Sequence, residues 1–260
     1  VRPGHHATFP EPRQEKYESY AQDRYFSLEK TSRVSGAMNI MHELFGLNPY
    51  EHFDPSAYPL TLQGWHSDSP IFEEMIDQTQ PDIIIEVGSW LGASAIHMGR
   101  HLKKRGWSGS IICVDTWLGS MDHWSNPEIR PLLRLQHGYP QLYYQFLANV
   151  IHAGLQDTII PFPNTSTMAC FWLKKRNIRA KLIYIDGSHE YLDILADLQN
   201  YSQLRAEGGY MFGDDWGIFP SVKRGVKKFC RQNACNYQAP RHDCFWLIPP
   251  EPLPGEVAGQ

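Results

Sequence analysis

The sequence predicts an α/β protein built on a mostly parallel sheet, and three observations carry that expectation. From about Pro70 onward, short β-branched runs alternate with longer amphipathic stretches, the rhythm of strand-helix-strand units. The first of these runs, with Ile83-Ile84-Ile85 at its centre, is apolar, as a strand buried on both faces should be. Acidic and glycine residues then gather where the runs end, which is where open α/β sheets bind ligands.

Taken in chain order, residues 1–62 are rich in Pro, Tyr and His and hold one expected helix, Ser32 to Leu47. They read as a cap or assembly segment. Strands are expected at Ile83–Val87, Ser110–Asp115, Thr158–Phe162, Lys181–Asp186 and Tyr210–Asp214, each followed by a helical pattern. A helix near Ser221 to Gln232 precedes Asn236–Pro249, which reads as two strands around Pro240-Arg241-His242, a terminal hairpin at one sheet edge. The expectation is thus a seven-stranded sheet with a C-terminal antiparallel hairpin and an N-terminal helical extension. Its boundaries are 63–250 for the catalytic domain and 251–260 for a tail.

Composition narrows the function classes. A chain of 260 residues, 42% hydrophobic, can bury one substantial core plus a smaller appendage. Lys and Arg number 24 against 28 Asp and Glu, a formal charge of -4, and no basic block suits a nucleic acid. The apolar runs fall far short of the ~20 residues that span a bilayer. The start, Val1-Arg2-Pro3-Gly4-His5-His6, has neither an initiator Met nor a secretory pattern and reads as a trimmed chain or a module of a larger synthase. Five scattered cysteines, an odd number, suit reduced thiols and a cytoplasmic location. Assembly into a homo-oligomer through the N-terminal segment is the other partner expectation.

The segment Glu86-Val87-Gly88-Ser89-Trp90-Leu91-Gly92-Ala93-Ser94 joins the first strand to its helix, where glycines permit a tight turn and amides face a ligand. A pyrophosphate fingerprint needs Gly two positions after Gly88, but Trp90 stands there, which disfavours NAD and FAD. The Gly-Lys-Ser/Thr ending of a P-loop is missing too. Asp115 ends the second strand, where a carboxylate can accept both hydroxyls of a ribose. An adenosyl cofactor without phosphates fits.

Two further strands end in Asp186-Gly187-Ser188-His189 and Gly213-Asp214-Asp215-Trp216, bringing three carboxylates to neighbouring strand tips. Hard oxygen donors suit octahedral Mg²⁺, with Mn²⁺ or Ca²⁺ as substitutes, and Asp186, Asp214 and Asp215 are the expected ligands. His189, over the same rim, is the expected general base toward a hydroxyl whose pKa the metal lowers. Helix caps and turns are the bland alternative for each residue taken singly.

Together these residues resemble the class I S-adenosylmethionine-dependent methyltransferases, specifically the catechol-type metal-dependent branch, whose cofactor loop has the same Glu-x-Gly-x-x-x-Gly-x-Ser shape. The resemblance covers about Gly64 to Ile248 and implies a Rossmann-like fold with S-adenosylmethionine as cofactor. It implies Asp115 on the ribose, Gly88 and Ser89 against the methionine moiety, Ser94 at its charged ends and Glu86 orienting the loop. Gly92 and Trp117 complete that cofactor set. Many catechol enzymes have Lys where this chain has His189 and Asn where it has Asp215. The pattern Asp-Gly-x-His with Gly-Asp-Asp looks more like the branch of macrolide-sugar O-methyltransferases and cephalosporin-hydroxylase-like proteins. The implied acceptor is therefore a hydroxylated small molecule: a natural product, polyketide or sugar.

Asp115 through Trp124, with two Trp, one His and a glycine hinge, reads as either a substrate lid or a packed surface loop. Trp65-His66-Ser67-Asp68 either closes over the cofactor or caps the next helix. Trp216 is a candidate wall of the acceptor pocket, and Thr165 and Ser166 either approach adenine or cap a helix. Cys230, Cys235, His242 and Cys244 have no spacing that suits a compact zinc knuckle. Two competing functions stand beside methyl transfer. A cephalosporin-hydroxylase-like metal enzyme would need a redox metal, and no two-His-one-carboxylate triad is visible. A non-catalytic cofactor-binding domain of a larger assembly is the other.

Overall fold

A computed structural model describes residues 36–242 and 244–250. The elements in order are α1 (Ala37–Phe45), α2 (Pro70–Thr79), β1 (Ile83–Val87), α3 (Ala93–Arg105), β2 (Ser110–Asp115), α4 (Met121–Ser125), α5 (Leu142–His152) and β3 (Ile159–Pro163). There follow α6 (Ser166–Lys175), β4 (Ala180–Ile185), α7 (Tyr191–Ser202), β5 (Arg205–Gly213), α8 (Pro220–Asn233), β6 (Gln238–Arg241) and β7 (Phe245–Ile248). They form a seven-stranded sheet in the order β3-β2-β1-β4-β5-β7-β6. Strands β1 to β5 run parallel, and β7 is antiparallel to both β5 and β6. The fold class expected from the sequence is the one observed.

Local chemistry explains the boundaries. All five residues of β1 are buried, as helices on both faces require. Helix α3 ends in Lys103-Lys104-Arg105, which complements the negative end of its dipole, and Gly106 terminates it in the left-handed conformation. Helix α2 starts with Pro70 at its first position and Ser69 as N-cap, so neither Ser67 nor Asp68 caps it. Thr165 does cap α6, accepting from the Met168 amide at 3.3 Å.

Strand β5 begins five residues before the expected Tyr210. Its first half is exposed or half-buried and contains Gly208 and Gly209, with a register shift against β4 between Ala180 and Leu182. A strand end without apolar alternation gives no sequence signal. The expected helix from Ser32 is seen over Ala37–Phe45, Ser32 itself lying outside the described residues, as does the tail 251–260. Residues 36–62 are tied to the sheet: Tyr50 donates its buried hydroxyl to the Ile159 carbonyl at 2.9 Å.

On one side of the sheet Phe72 of α2 meets Tyr184, Phe212 and Phe245 edge to face, with ring centroids 5.0, 5.7 and 5.8 Å apart. Each such pair adds about 0.5–1.5 kcal/mol beyond its burial. The cluster sets the tips of β4 and β5 on a rigid base, directly under the acidic rim.

Candidate active site

The cofactor loop is shaped by its contacts with the next strand over. Gly88 has φ +88°, its amide donates to the Val114 carbonyl at 2.9 Å, and a Cβ there would strike the Asp186 carbonyl and sit 2.7 Å from Gly187 Cα. Only glycine permits that approach. Beneath the turn, the fully buried Glu86 accepts the hydroxyls of Ser89 and Ser94, each at 2.6 Å. Burial raises the Glu86 pKa, and those two hydroxyls oppose the rise. Gly92, also left-handed, lies where a Cβ would meet the Phe146 ring at 2.9 Å.

Asp115 ends β2 as expected, but its carboxylate is already occupied. Oδ2 accepts the Ser89 and Trp90 amides at 3.0 and 2.9 Å, and Oδ1 accepts the Trp117 amide at 2.7 Å, with the Thr116 amide also bonded. A carboxylate offers about four lone-pair sites, so a ribose must displace loop amides to bind here. Burial raises the Asp115 pKa against the pull of those amides.

Trp117 lies beneath the loop rather than in front of it. Its indole is 2% exposed, donates to the Trp90 carbonyl at 2.8 Å and packs on Phe146 and Tyr143. Its indole is thus packed under the loop, while its backbone amide on Asp115 faces the site. After it, Ser120 caps the short α4 in a reciprocal capping box with His123. His123 stacks on Trp90 at 3.8 Å and on Trp65 at 5.9 Å, so the expected lid stretch and the Trp65 segment meet over the loop. Burial lowers His123 to about 4, which keeps this stack uncharged at neutral pH.

The acidic rim divides in two. Asp186, His189 and Asp215 present ligand atoms that all lie within 4.8 Å of one another, and so do His66, Asp214 and Cys244. Asp215 has φ +69°, a left-handed turn that sends its side chain away from that of Asp214. Asp214, 3% exposed, accepts from the Asp215 amide at 2.6 Å and pairs with His66 Nδ1 at 2.8 Å. His189 Nε2 is 2.8 Å from Asp215 Oδ2, its Nδ1 is 3.8 Å from Asp122, and its ring stacks on Phe219 at 4.0 Å. The three aspartates are neighbours, but Asp214 turns toward His66 while His189 takes its place in the tighter group.

Burial, with the Asp214 and Asp215 charges beside it, pushes Asp186 well above the usual carboxylate range, against the Tyr184 hydroxyl that donates to it at 2.9 Å. Burial alone would lower His189. The hydrogen bond and charge of Asp215, with Asp122 and Asp214 behind, instead hold it above its ordinary value. Carboxylates crowded this way, with the His66 and His189 imidazoles beside them, form a donor set that suits a divalent cation. Trp216 is 7% exposed, lies against Tyr237 and carries Lys223 and Lys227 over its ring. Tyr184, Asp122 and Phe219 were not evident from the sequence. Only Tyr184, one position short of the tip of a buried strand, carried a usable signal.

A parallel sheet extended by β7 and β6 at the β5 edge, with a glycine turn after β1 and an acid after β2, defines the class I methyltransferase fold. The sequence profile of the methyltransferase domain matches residues 85–216, and the chain belongs to that S-adenosylmethionine-dependent family. An O-methyltransferase from Bacillus cereus in complex with SAH superposes with a TM-score of 0.52 at 14% identity, over 91% of this chain and 97% of that one. The O-methyltransferase TomG from Streptomyces achromogenes, involved in tomaymycin synthesis and solved with SAM, gives 0.52 at 14% identity over 92% and 99%. The O-methyltransferase NovP gives 0.50 at 16% over 69% and 76%. A sequence search of curated proteins finds no match. Among the described residues no helix is long and apolar enough to cross a membrane.

Proposed function

We propose that the chain transfers the methyl group of S-adenosylmethionine to a hydroxyl oxygen of a small molecule, a natural product, polyketide or sugar. In this reading a divalent cation, Mg²⁺ first and Mn²⁺ or Ca²⁺ as substitutes, is held by Asp186, Asp214 and Asp215, with His189 as the base. The supporting observation is that donor atoms of Asp186 and Asp215 lie within 4.8 Å of each other at the strand tips, against the Gly88 turn and with the His189 base beside them; Asp214, which faces His66, has to turn its carboxylate inward to complete the set. Bound there, such an ion supplies positive charge that lowers the pKa of an acceptor hydroxyl.

His189 takes the proton at a definite atom. Asp215 can only accept, so Nε2 carries the ring hydrogen at 2.8 Å and the lone pair on Nδ1 faces the lid side, toward Asp122. The acceptor O–H gives its proton to Nδ1 while its oxygen attacks the sulfonium methyl carbon. The carbon–sulfur bond breaks, sulfur keeps the electron pair, and S-adenosylhomocysteine leaves. Asp215 and Asp122 stabilise the imidazolium until it releases its proton to water. Cofactor binding requires the Ser89 and Trp90 amides to release Asp115 so that it can hold the ribose. Glu86, gripping Ser89 and Ser94, keeps the rest of the loop in place.

The test is methyl transfer from labelled S-adenosylmethionine to a panel of sugars and aliphatic and phenolic alcohols. EDTA should stop the transfer and Mg²⁺ restore it. His189→Ala should bind the cofactor normally in calorimetry yet lose ~10²–10⁴-fold in turnover. Transfer indifferent to chelation removes the metal, and full activity in His189→Ala removes the base. Cofactor binding with no turnover across the panel favours the non-catalytic alternative.

A further inference from the structure

The Asp214 carboxylate turns toward a set of ligand types unlike the set around His189. His66 ahead of α2, Asp214 at the tip of β5 and Cys244 at the entry to β7 present donor atoms that all lie within 4.8 Å of one another. Three segments remote in sequence thus bring an imidazole, a carboxylate and a thiol to one point.

Each of the three is held from behind. The His66 side chain, 42% exposed, meets the Phe245 ring edge to face at 6.3 Å. Asp214 Oδ1 accepts the Asp215 amide at 2.6 Å, which leaves Oδ2 facing His66 Nδ1 at 2.8 Å. Cys244 is fixed through its backbone: its amide donates to the His242 carbonyl at 2.9 Å, and its carbonyl accepts the Trp216 amide at 2.7 Å. That second bond ties the cysteine to the same turn that carries Asp214.

The donor types select the ion. Thiolate sulfur is a poor ligand for Mg²⁺ and Ca²⁺, whereas sulfur, imidazole nitrogen and carboxylate oxygen together suit zinc. Two such donors on one tetrahedral zinc stand about 3.3–3.6 Å apart, so the His66–Asp214 pair opens by about half an ångström around an ion. The exposed ring can yield that much by rotating. The sulfur, within 4.8 Å of both partners, closes by a turn about its own Cα–Cβ bond. Protons move in a defined way. Without an ion, Asp214 accepts, so His66 Nδ1 carries the ring hydrogen. With one, Nδ1 bonds to the metal, the ring hydrogen moves to Nε2, and the Cys244 thiol releases its proton to water.

We propose that His66, Asp214 and Cys244 bind a divalent transition-metal ion, zinc by preference, with water in the fourth position. The ion staples the chain ahead of α2 to the tip of β5 and the start of β7. It takes Asp214 in the orientation that side chain already has. As a ligand of the strand-tip cation Asp214 has to turn away, so the two ions compete for one carboxylate. That consequence, unlike the site itself, rests on the function proposed above.

The experiment titrates the reduced, chelator-treated full chain with Co²⁺ and then Zn²⁺, reading absorption, affinity and melting temperature. Wild type, Cys244→Ser, His66→Gln and Asp186→Asn are compared. Wild type and Asp186→Asn should show a thiolate-to-cobalt charge-transfer band that zinc displaces, and a zinc-dependent rise in melting temperature. Cys244→Ser should lose that band. His66→Gln, a change at an exposed side chain, should lose at least ~10-fold in affinity. Absence of the band in wild type, its survival in Cys244→Ser, undiminished affinity in His66→Gln, or a loss confined to Asp186→Asn overturns the proposal. Excess Mg²⁺ should weaken cobalt binding by wild type. Binding indifferent to Mg²⁺ overturns the competition, and the Cys244→Ser result still decides the site.

Discussion

Replacing Gly88 with Ala separates two costs that the structure assigns to different origins. At φ +88° an L-residue meets the left-handed penalty, about 1–2 kcal/mol. The new methyl also meets the Asp186–Gly187 backbone, which cannot swing aside like a side chain, and overpacking of that kind adds about 1–3 kcal/mol. Gly106 supplies the control. Its φ is +71° but a methyl added there would have nothing within 4 Å, so Gly106→Ala should show the first cost alone. For a unit of this size, about 2–4 °C of melting temperature accompanies each kcal/mol. Gly88→Ala should therefore melt roughly 2–12 °C below Gly106→Ala. Differential scanning calorimetry of both proteins, with and without S-adenosylmethionine, measures the gap, and Gly88→Ala should also lose the stabilisation by cofactor because the Asp186 tip is displaced. If the two variants melt together, the contact between the first and fourth strand tips is not as close as described.

Further consequences concern stability. Burial pushes Asp197 from 3.8 up to about 6, so the folded state holds a proton that the unfolded state releases, and stability falls as pH rises from about 4 to about 6. Asp197→Asn removes that loss, and urea titration should find it more stable than wild type at pH 7.5 by up to ~3 kcal/mol, with little gain at pH 4. Trp117→Phe leaves the Trp90 carbonyl without its indole donor and should cost about 1–3 kcal/mol, read as a lower thermal midpoint. A midpoint equal to wild type would mean that water replaces the indole freely. Tyr50→Phe strips the buried Ile159 carbonyl of its partner and should lower the unfolding free energy in urea titration by about 1–2 kcal/mol at unchanged slope. A changed slope would instead mean that residues 36–62 detach before the sheet unfolds.

What the sequence revealed follows from which forces are local. Strands β1 to β4 were legible because both faces are buried, and burial on both sides demands an apolar run. The polar first half of β5 satisfies only backbone pairing, which leaves no mark on residue choice. The Pro70 helix start was half legible: proline at the first position points to Ser69 as cap, yet Ser67 and Asp68 offered equally good chemistry. At the site, residue types and their strand ends were readable, but side-chain direction was not. Nothing in Gly-Asp-Asp announces that Asp215 turns left-handed and parts from Asp214, or that Asp214 meets a histidine 148 positions earlier. The saturation of Asp115 and the burial of Trp117 likewise arise from how the loop folds back on itself.

The Asn149 side chain on α5 joins two segments that are far apart in the sequence. Its amide nitrogen donates to the carbonyls of Thr61 and Leu91, at 2.7 and 2.8 Å, while its oxygen accepts from the Thr61 amide at 3.0 Å. Thr61 belongs to the stretch of chain that leads to Trp65, and Leu91 belongs to the cofactor loop, whose Trp90 indole also donates to Gln63 at 2.6 Å. The stretch before Trp65 and the cofactor loop are thus held by one buried amide, so Asn149 is where a single substitution reaches both.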